Sequence, residues 1–293
     1  MNRLIEKERT RSILAIKILL FSASVIPALV AGALAYDHPQ FRWIAFILVT
    51  AGLFLGQAAG DYFYYYFTGY HSHTGDSHTK IFAGWKPLFI DTLLRPKDSL
   101  AAGIICLVLD LLILVWFITW LGAGILWLAA IGAAVALFFT PVMLRGYKEP
   151  LIFITFGPLS FFAGYYALTG EFALLPVVVS IPTAFFITVV AYLKGAHYKT
   201  KGEGSELVIL NINRTHAAVL LVFAYLSIIA SVVFGYLAPL ALLGLITGLP
   251  ALLLIRSLRK ESTIVHYLKA TVYSLLIMIL TGVIIAGTIL LTD

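Results

Sequence analysis

Charged residues are scarce in this sequence. Only 12% of its 293 residues are Asp, Glu, Lys or Arg, whereas 61% are hydrophobic. Soluble domains carry about 25% charged residues, so the composition argues against a soluble fold. The alternating pattern of a membrane β-barrel is not evident either. Long apolar runs of about 20 residues are instead typical of transmembrane helices, and the sequence predicts an all-α integral membrane protein.

Cysteine is nearly absent as well. The one cysteine, Cys106, lies inside an apolar run, so an intramolecular disulfide framework is excluded. A signal-peptide cleavage site is also not evident after the first apolar run, which is too long for a signal peptide. We therefore expect this first run to be retained as a helix.

Apolar runs dominate what is present. In lipid the backbone must satisfy its own hydrogen bonds, so these runs are expected to be helices. Nine are predicted: Ile13–Tyr36, Phe41–Gly60, Leu100–Trp120, Ile125–Pro141, Leu151–Leu168, Leu174–Leu193, Ala217–Leu237, Leu240–Ile255 and Tyr267–Leu291. The connections over residues 61–99 and 194–216 are longer than the others, and long connections in compact proteins are often functional.

The basic residues are distributed unevenly between the two sides of the predicted bundle. All of the 20 Lys and Arg residues except Lys17 and Arg42 fall on one side if the N-terminus is cytoplasmic. Basic residues mark cytoplasmic loops. We therefore expect a multi-pass protein of the cell membrane, with both long connections in the cytoplasm and the C-terminus outside. Topology then explains the net charge of +6, and no nucleic-acid partner is expected.

The first long connection concentrates aromatic and metal-binding residue types. His71, His73, Asp76 and His78 form an H-x-H-x-x-D-x-H pattern, whose imidazoles and carboxylate suit Zn²⁺ or Fe²⁺. His197, in the second long connection, could join them. The alternative is a solvated polar loop. The preceding aromatic run, residues 62–67, is consistent with either an apolar tunnel or an interfacial aromatic belt.

Several motifs carry a resemblance to a known family. They are Ala58-Ala59-Gly60-Asp61-Tyr62-Phe63 followed by Gly69, Leu94-Arg95-Pro96-Lys97-Asp98, Gly146-Tyr147-Lys148-Glu149-Pro150, Phe156-Gly157-Pro158 and Gly164-Tyr165-Tyr166. Together they are similar to the UbiA superfamily of membrane prenyltransferases, most of all to its menaquinone-biosynthetic branch. The resemblance implies one domain over residues 1–293, with nine transmembrane helices around a central cavity, and transfer of a prenyl group from a prenyl diphosphate.

The family binds Mg²⁺ through aspartates on two loops, and here most of these positions differ. With Gly60 at the family's asparagine, Asp61 takes the first aspartate position and Tyr64 the second. Aligned instead on Gly69, the aspartate positions carry other residues: Tyr62, Tyr65 and His71. In the second loop, Gly195 and Lys199 stand at the two aspartate positions. The cofactor is therefore left open, although the family uses Mg²⁺.

The resemblance implies that the two long connections together form the site. The candidate catalytic residues are Asp61, His71 and His197. The candidate substrate-binding residues are Tyr62, Tyr65, Lys194, Lys199 and Lys201, the lysines binding a diphosphate as point charges or serving topology alone. The expected partners are a prenyl diphosphate or another isoprenoid lipid, together with membrane lipids.

Three functions remain open at this point. The first is a prenyltransferase homologue with an altered metal site, the second a non-catalytic isoprenoid-binding or lipid-binding protein, and the third a lipid-modifying enzyme that uses the histidine cluster. Lys17 and Asp110 are intramembrane charges, which often mark function. Neither lies in a family motif, so we place both outside the candidate site.

Overall fold

The helices and strands are taken from a computed structural model that describes residues 22–71, 82–83, 96–194, 197–201, 206–210, 212–258 and 264–292. The helices are α1 (Ser22–Ala35), α2 (Trp43–His71), α3 (Pro96–Leu121), α4 (Leu126–Leu144), α5 (Lys148–Ile154), α6 (Ser160–Thr169), α7 (Leu175–Lys194), α8 (Arg214–Val233), α9 (Gly248–Ser257) and α10 (Ile264–Thr292). Three short strands are β1 (Phe82–Ala83), β2 (His197–Lys201) and β3 (Glu206–Leu210). A widened turn over Thr155–Leu159 joins α5 to α6, and the 3₁₀ segments Ala123–Ile125 and Pro239–Thr247 precede α4 and α9.

Eight helical segments among the described residues are long and apolar enough to cross a membrane. They are Trp43–Tyr64, Lys97–Leu121, Ala123–Leu144, Lys148–Thr169, Leu175–Leu193, Arg214–Val233, Pro239–Ser257 and Lys269–Thr292. Each corresponds to one of the predicted spans from the second to the ninth. The protein is therefore a multi-pass helical membrane protein. Of the first predicted span, only the part within α1 lies in the described residues.

The first long connection begins later than the sequence indicated. Helix α2 continues through Asp61 and ends at His71, so the expected loop boundary at residue 61 is wrong. Between these positions there is no proline, and their one glycine, Gly69, weakens a helix without ending it. Helix α3 begins at Pro96, because proline is well tolerated at the first helical position. The connection thus spans residues 72–95.

The second long connection contains a β-hairpin, which the all-α prediction missed. Strands β2 and β3 pair antiparallel with Lys201 opposite Glu206, and β1 pairs antiparallel with β2 with Phe82 opposite Tyr198. The sequence Glu206–Leu210 is rich in the residue types that favour strands, but it is too short to stand out beside the long apolar runs. Because β1 belongs to the first connection, the two connections meet by backbone pairing at one end of the bundle.

Hydrogen bonds hold together the helix ends from which this hairpin leaves. The Tyr267 hydroxyl donates to the Leu193 carbonyl at 2.6 Å and joins the start of α10 to the end of α7. The backbone N–H of Asn213 donates to the Tyr192 hydroxyl at 2.7 Å, and the Asn213 side chain caps α8 by accepting from the Thr215 N–H. The hairpin therefore starts and ends on a rigid part of the largest buried cluster, which centres on α7 and α10.

The opposite end of the bundle carries most of the indole rings. Trp43, Trp116, Trp120 and Trp127 lie at or near this end, as expected for an interfacial belt. Arg42, one of the two exceptions to the charge asymmetry, places its guanidinium 5.4 Å from the centre of the Trp120 ring. A cation over an indole face is favourable, so this arginine has a partner on its own side.

Candidate ligand-binding cavity

A cavity of about 680 Å³ lies between α2, α3, α4, the α5–α6 helix pair and α7. Small-molecule sites typically occupy 300–1,000 Å³ and are mostly apolar. On α2 the lining runs from Leu48 to Tyr64, which is about 24 Å at a rise of 1.5 Å per residue. The cavity therefore extends along most of the hydrocarbon thickness of a bilayer, about 30 Å.

The end of the cavity that lies on the hairpin side of the bundle is polar, and we refer to it as the mouth. Gln57, Asp61 and Tyr64 line it from the last turns of α2. Lys148 lines it from the first residue of α5, and its ammonium donates to the backbone carbonyl of Ala191 on α7. A carboxylate and an ammonium thus lie at the same end of the cavity, and polar groups of this kind fix the orientation of a ligand in an otherwise apolar pocket.

The deep part of the cavity is apolar. Its walls include Val49, Phe117, Ile125, Leu128 and Ala167, all of which are buried. Burial of a methylene group here is worth about 0.8 kcal/mol, so a hydrocarbon chain is stabilised over the length of the cavity. A polar mouth followed by an apolar interior fits a ligand with a polar head and a hydrocarbon chain.

The wall between α5 and α6 is shaped by a kink. Pro158 has no N–H to donate, and Gly157 adopts φ −99° and ψ −107°, outside the helical region. The Ser160 hydroxyl donates to the Thr155 carbonyl across this wider turn, so a carbonyl in the kink is satisfied internally, as lipid requires. Thr155 and Ser160 both line the cavity as a result.

Asp110 also lines the cavity, although the sequence analysis left it outside the site. It comes from the middle of α3 and lies against a glycine groove on α2. A Cβ placed on Gly52 would be 3.0 Å from one Asp110 carboxylate oxygen, and a Cβ on Gly56 would be 3.8 Å from the other. The absence of a side chain at Gly52 therefore makes room for the carboxylate, whereas a Cβ at Gly56 would make an ordinary van der Waals contact with it.

The side chains of the aromatic run at the end of α2 lie in different environments. Tyr64 lines the cavity, whereas Phe63 is buried against α3, where a Cβ on Gly103 would be 2.8 Å from the phenyl ring. Phe67 is exposed and lies edge-on to Tyr66. Tyr62 is half-buried and does not line the cavity formed by the described residues. Neither interpretation, tunnel or belt, holds for the whole run.

The other candidate residues are placed only through their backbone or lie outside the described residues. Asp61 is the exception, because its side chain lines the mouth of the cavity. The backbone of Tyr65 and His71 lies in the last turns of α2, and Lys194 is the last residue of α7. His197, Lys199 and Lys201 lie on strand β2. His73, Asp76, His78 and Gly195 lie outside the described residues. The roles assigned to all of these stay predictions.

Among the described residues, the side chains that could bind a metal ion do not form the Mg²⁺ site that the resemblance implies. Mg²⁺ takes oxygen ligands, usually including one or two carboxylates, and Asp61 lies at the same end of the cavity as the Lys148 ammonium. In the part of the chain that the structure describes, no three His, Cys, Asp or Glu side chains group closely enough to share a metal ion. We therefore derive no step that uses Mg²⁺.

Two features of the cavity were missed by sequence reasoning. Lys148 was counted only as a topological charge, although it stands inside the motif Gly146–Pro150. The glycines Gly52, Gly56 and Gly60, four residues apart, all line the cavity. Small residues at this spacing lie on one face of a helix, so the sequence did contain a signal for a surface of α2 without side chains.

Comparison with known proteins adds no assignment. No protein-family model matches the chain, and no curated protein matches it at a significant level. The resemblance to the UbiA superfamily accordingly rests on the motifs given above.

Proposed function

We propose that this protein is a UbiA-like prenyltransferase homologue that binds an isoprenoid diphosphate, with the diphosphate at the cavity mouth and the chain in the apolar interior. The observation that carries the proposal is the polar mouth with Asp61 and Lys148 at one end of an apolar cavity about 24 Å long. A prenyl diphosphate has the same division between a charged head and a hydrocarbon chain.

The mouth has a charge suited to an anionic head. Lys148 presents an ammonium, which binds phosphate groups as a point charge. The paired connections bring the backbone of β2, with Lys199 and Lys201, to the same end of the bundle. These lysines add positive potential near the mouth, and we propose that they attract the diphosphate before it binds.

The proposal includes the topology. Nine spans place the N-terminus in the cytoplasm and the C-terminus outside the cell membrane, and the mouth then opens towards cytoplasmic diphosphates. The distribution of Lys and Arg supports this orientation. The alternatives are a non-catalytic protein that uses the same cavity for an isoprenoid lipid, and a lipid-modifying enzyme that uses the histidines of the first connection.

Equilibrium binding tests the proposal. The full-length protein in lipid nanodiscs is titrated with radiolabelled geranylgeranyl diphosphate and, separately, with geranylgeraniol. We expect saturable binding of the diphosphate and a loss of about tenfold in affinity for Lys148→Met, because a hydrogen bond to a charged group contributes about 1.5–3 kcal/mol. Lys148→Arg should retain most of the affinity.

Arg145→Met is the matched control. Arg145 is an exposed cation three residues from Lys148 and does not line the cavity, so its removal should change affinity less than twofold. The affinity for geranylgeraniol should be the same in all variants. An absence of saturable diphosphate binding, or an equal loss in Arg145→Met and Lys148→Met, would contradict the proposal.

A further inference from the structure

Asp110 lies at a depth in the membrane span where an unpaired carboxylate has a high free-energy cost. It lies 14 residues beyond the start of α3 at Pro96, which is about 21 Å along the helix axis and therefore near the middle of the span. None of the described residues forms an ion pair or a hydrogen bond with its carboxylate. Intramembrane carboxylates are costly and usually face a cavity or a partner, and this one faces the cavity.

The depth of Asp110 follows from the glycines that it contacts. Gly56 and Gly52 precede Asp61 by five and nine residues on α2, so the carboxylate lies about 7–14 Å inside the mouth along that helix. It is therefore too deep to serve the headgroup directly. A group that it binds must belong to the chain of the ligand or to a second small molecule in the cavity.

We propose that Asp110 forms a second polar binding point inside the apolar cavity, which selects ligands carrying a hydroxyl about 10 Å from the mouth. A hydroxyl has one hydrogen-bond donor, which it can give to the Asp110 carboxylate. A ligand that lacks this hydroxyl leaves the carboxylate unsatisfied, and sites of this kind discriminate strongly. The part of this inference that concerns a diphosphate ligand rests on the proposed function.

The hydroxyl can belong to the chain of the ligand or to a second small molecule, and a different pair of ligands tests each source. For a hydroxyl on the chain itself, ω-hydroxygeranyl diphosphate is compared with geranyl diphosphate. For a hydroxyl on a second small molecule, cyclohexanol is compared with methylcyclohexane, by thermal shift of the full-length protein in nanodiscs. The second comparison needs no diphosphate, so it remains decisive if isoprenoid diphosphates fail to bind and the proposed function falls.

The expected result is a preference of about tenfold for the hydroxylated ligand in at least one comparison, since hydrogen bonds to charged groups are the strong ones. The preference should disappear in Asp110→Leu. The matched control is Asp98→Asn, at the exposed start of α3 and outside the cavity, which should leave the preference unchanged.

The stability of the ligand-free protein separates a binding role from a structural one. If Asp110 serves a ligand, Asp110→Leu should leave the melting temperature unchanged or raise it, because an unpaired carboxylate is removed from an apolar site. A lower melting temperature for both Asp110→Leu and Asp110→Asn would assign Asp110 to the structure and overturn the inference. An absence of hydroxyl preference in the wild type in both comparisons, or a preference that persists in Asp110→Leu, would overturn it as well.

Discussion

At the scale of single residues, the mouth of the cavity combines charges of opposite sign. Asp61 occupies a position that the UbiA resemblance singles out, and it does line the cavity. Lys148 was visible in the sequence as a charge near a span end, but nothing in the sequence showed that its ammonium reaches a carbonyl on α7. That contact depends on how two helices pack, and their relative position is not encoded in local spacing.

Removal of Asp61 should weaken ligand binding. Its carboxylate offers acceptor oxygens to water or to a cation that accompanies the diphosphate, so Asp61→Asn is expected to lower affinity for geranylgeranyl diphosphate roughly tenfold. His197→Ala should also lower it, if this residue joins the same site. Lys17→Met should have no effect. Equal affinities for the wild type and both site variants, measured in nanodiscs, would remove Asp61 and His197 from the site.

Mg²⁺-dependent prenyl transfer is expected to be weak or absent. Gly195 and Lys199 stand where the proposed UbiA resemblance places a second pair of aspartates, and a lysine disfavours a bound cation. The measurement is transfer from geranylgeranyl diphosphate to a hydroxynaphthoate acceptor with and without Mg²⁺. The double variant Gly195→Asp, Lys199→Asp should gain Mg²⁺-dependent binding of diphosphate, because Mg²⁺ is held jointly by carboxylates and substrate phosphates. Robust transfer by the unaltered protein would show that this expectation is wrong.

At the scale of secondary-structure elements, the kink between α5 and α6 depends on a glycine. A Cβ on Gly157 would lie 2.3 Å from the Ala184 Cβ, a separation that requires α7 to move. Gly157→Ala should therefore destabilise the protein by about 1–3 kcal/mol, the usual cost of overpacking. It should also weaken ligand binding, because Thr155 and Ser160 flank the kink and line the cavity.

Gly287→Ala is the control for this substitution. Gly287 lies in α10, and nothing lies within 4 Å of a Cβ placed there, so the added methyl group has space. Thermal unfolding of both variants in the same detergent gives the comparison. Equal melting temperatures for Gly157→Ala and Gly287→Ala would mean that α7 yields easily and that the close approach has no energetic importance.

The secondary-structure elements differ in how well they could be predicted from the sequence. The apolar runs located the second to ninth spans, because their length is imposed by the thickness of the bilayer. The end of α2 could not be found in the same way, since Tyr62 to His71 are neither strongly apolar nor helix-breaking. The pairing of β1 with β2 joins segments more than 100 residues apart in the sequence, and no local pattern contains that information.

At the scale of the whole molecule, topology decides which substrates can reach the cavity. The backbone pairing of β1 with β2 brings both long connections to the end of the bundle where the mouth lies. The distribution of Lys and Arg predicts that this end is cytoplasmic. Under the proposed function, an isoprenoid diphosphate in the cytoplasm enters chain first, so that its chain lies in the apolar interior and its charge stays at the mouth.

Cysteine labelling tests this orientation. The single native cysteine is first replaced in a Cys106→Ala background, and Ser77→Cys, Ser205→Cys and Asp37→Cys are then made one at a time. Asp37 is exposed in the connection between α1 and α2, at the opposite end of the bundle. A membrane-impermeant maleimide applied to intact cells should label Asp37→Cys only, while permeabilised cells should show labelling of all three. Labelling of Ser77→Cys and Ser205→Cys from outside intact cells would invert the topology, and a cavity that opens outwards could not take a diphosphate from the cytoplasm.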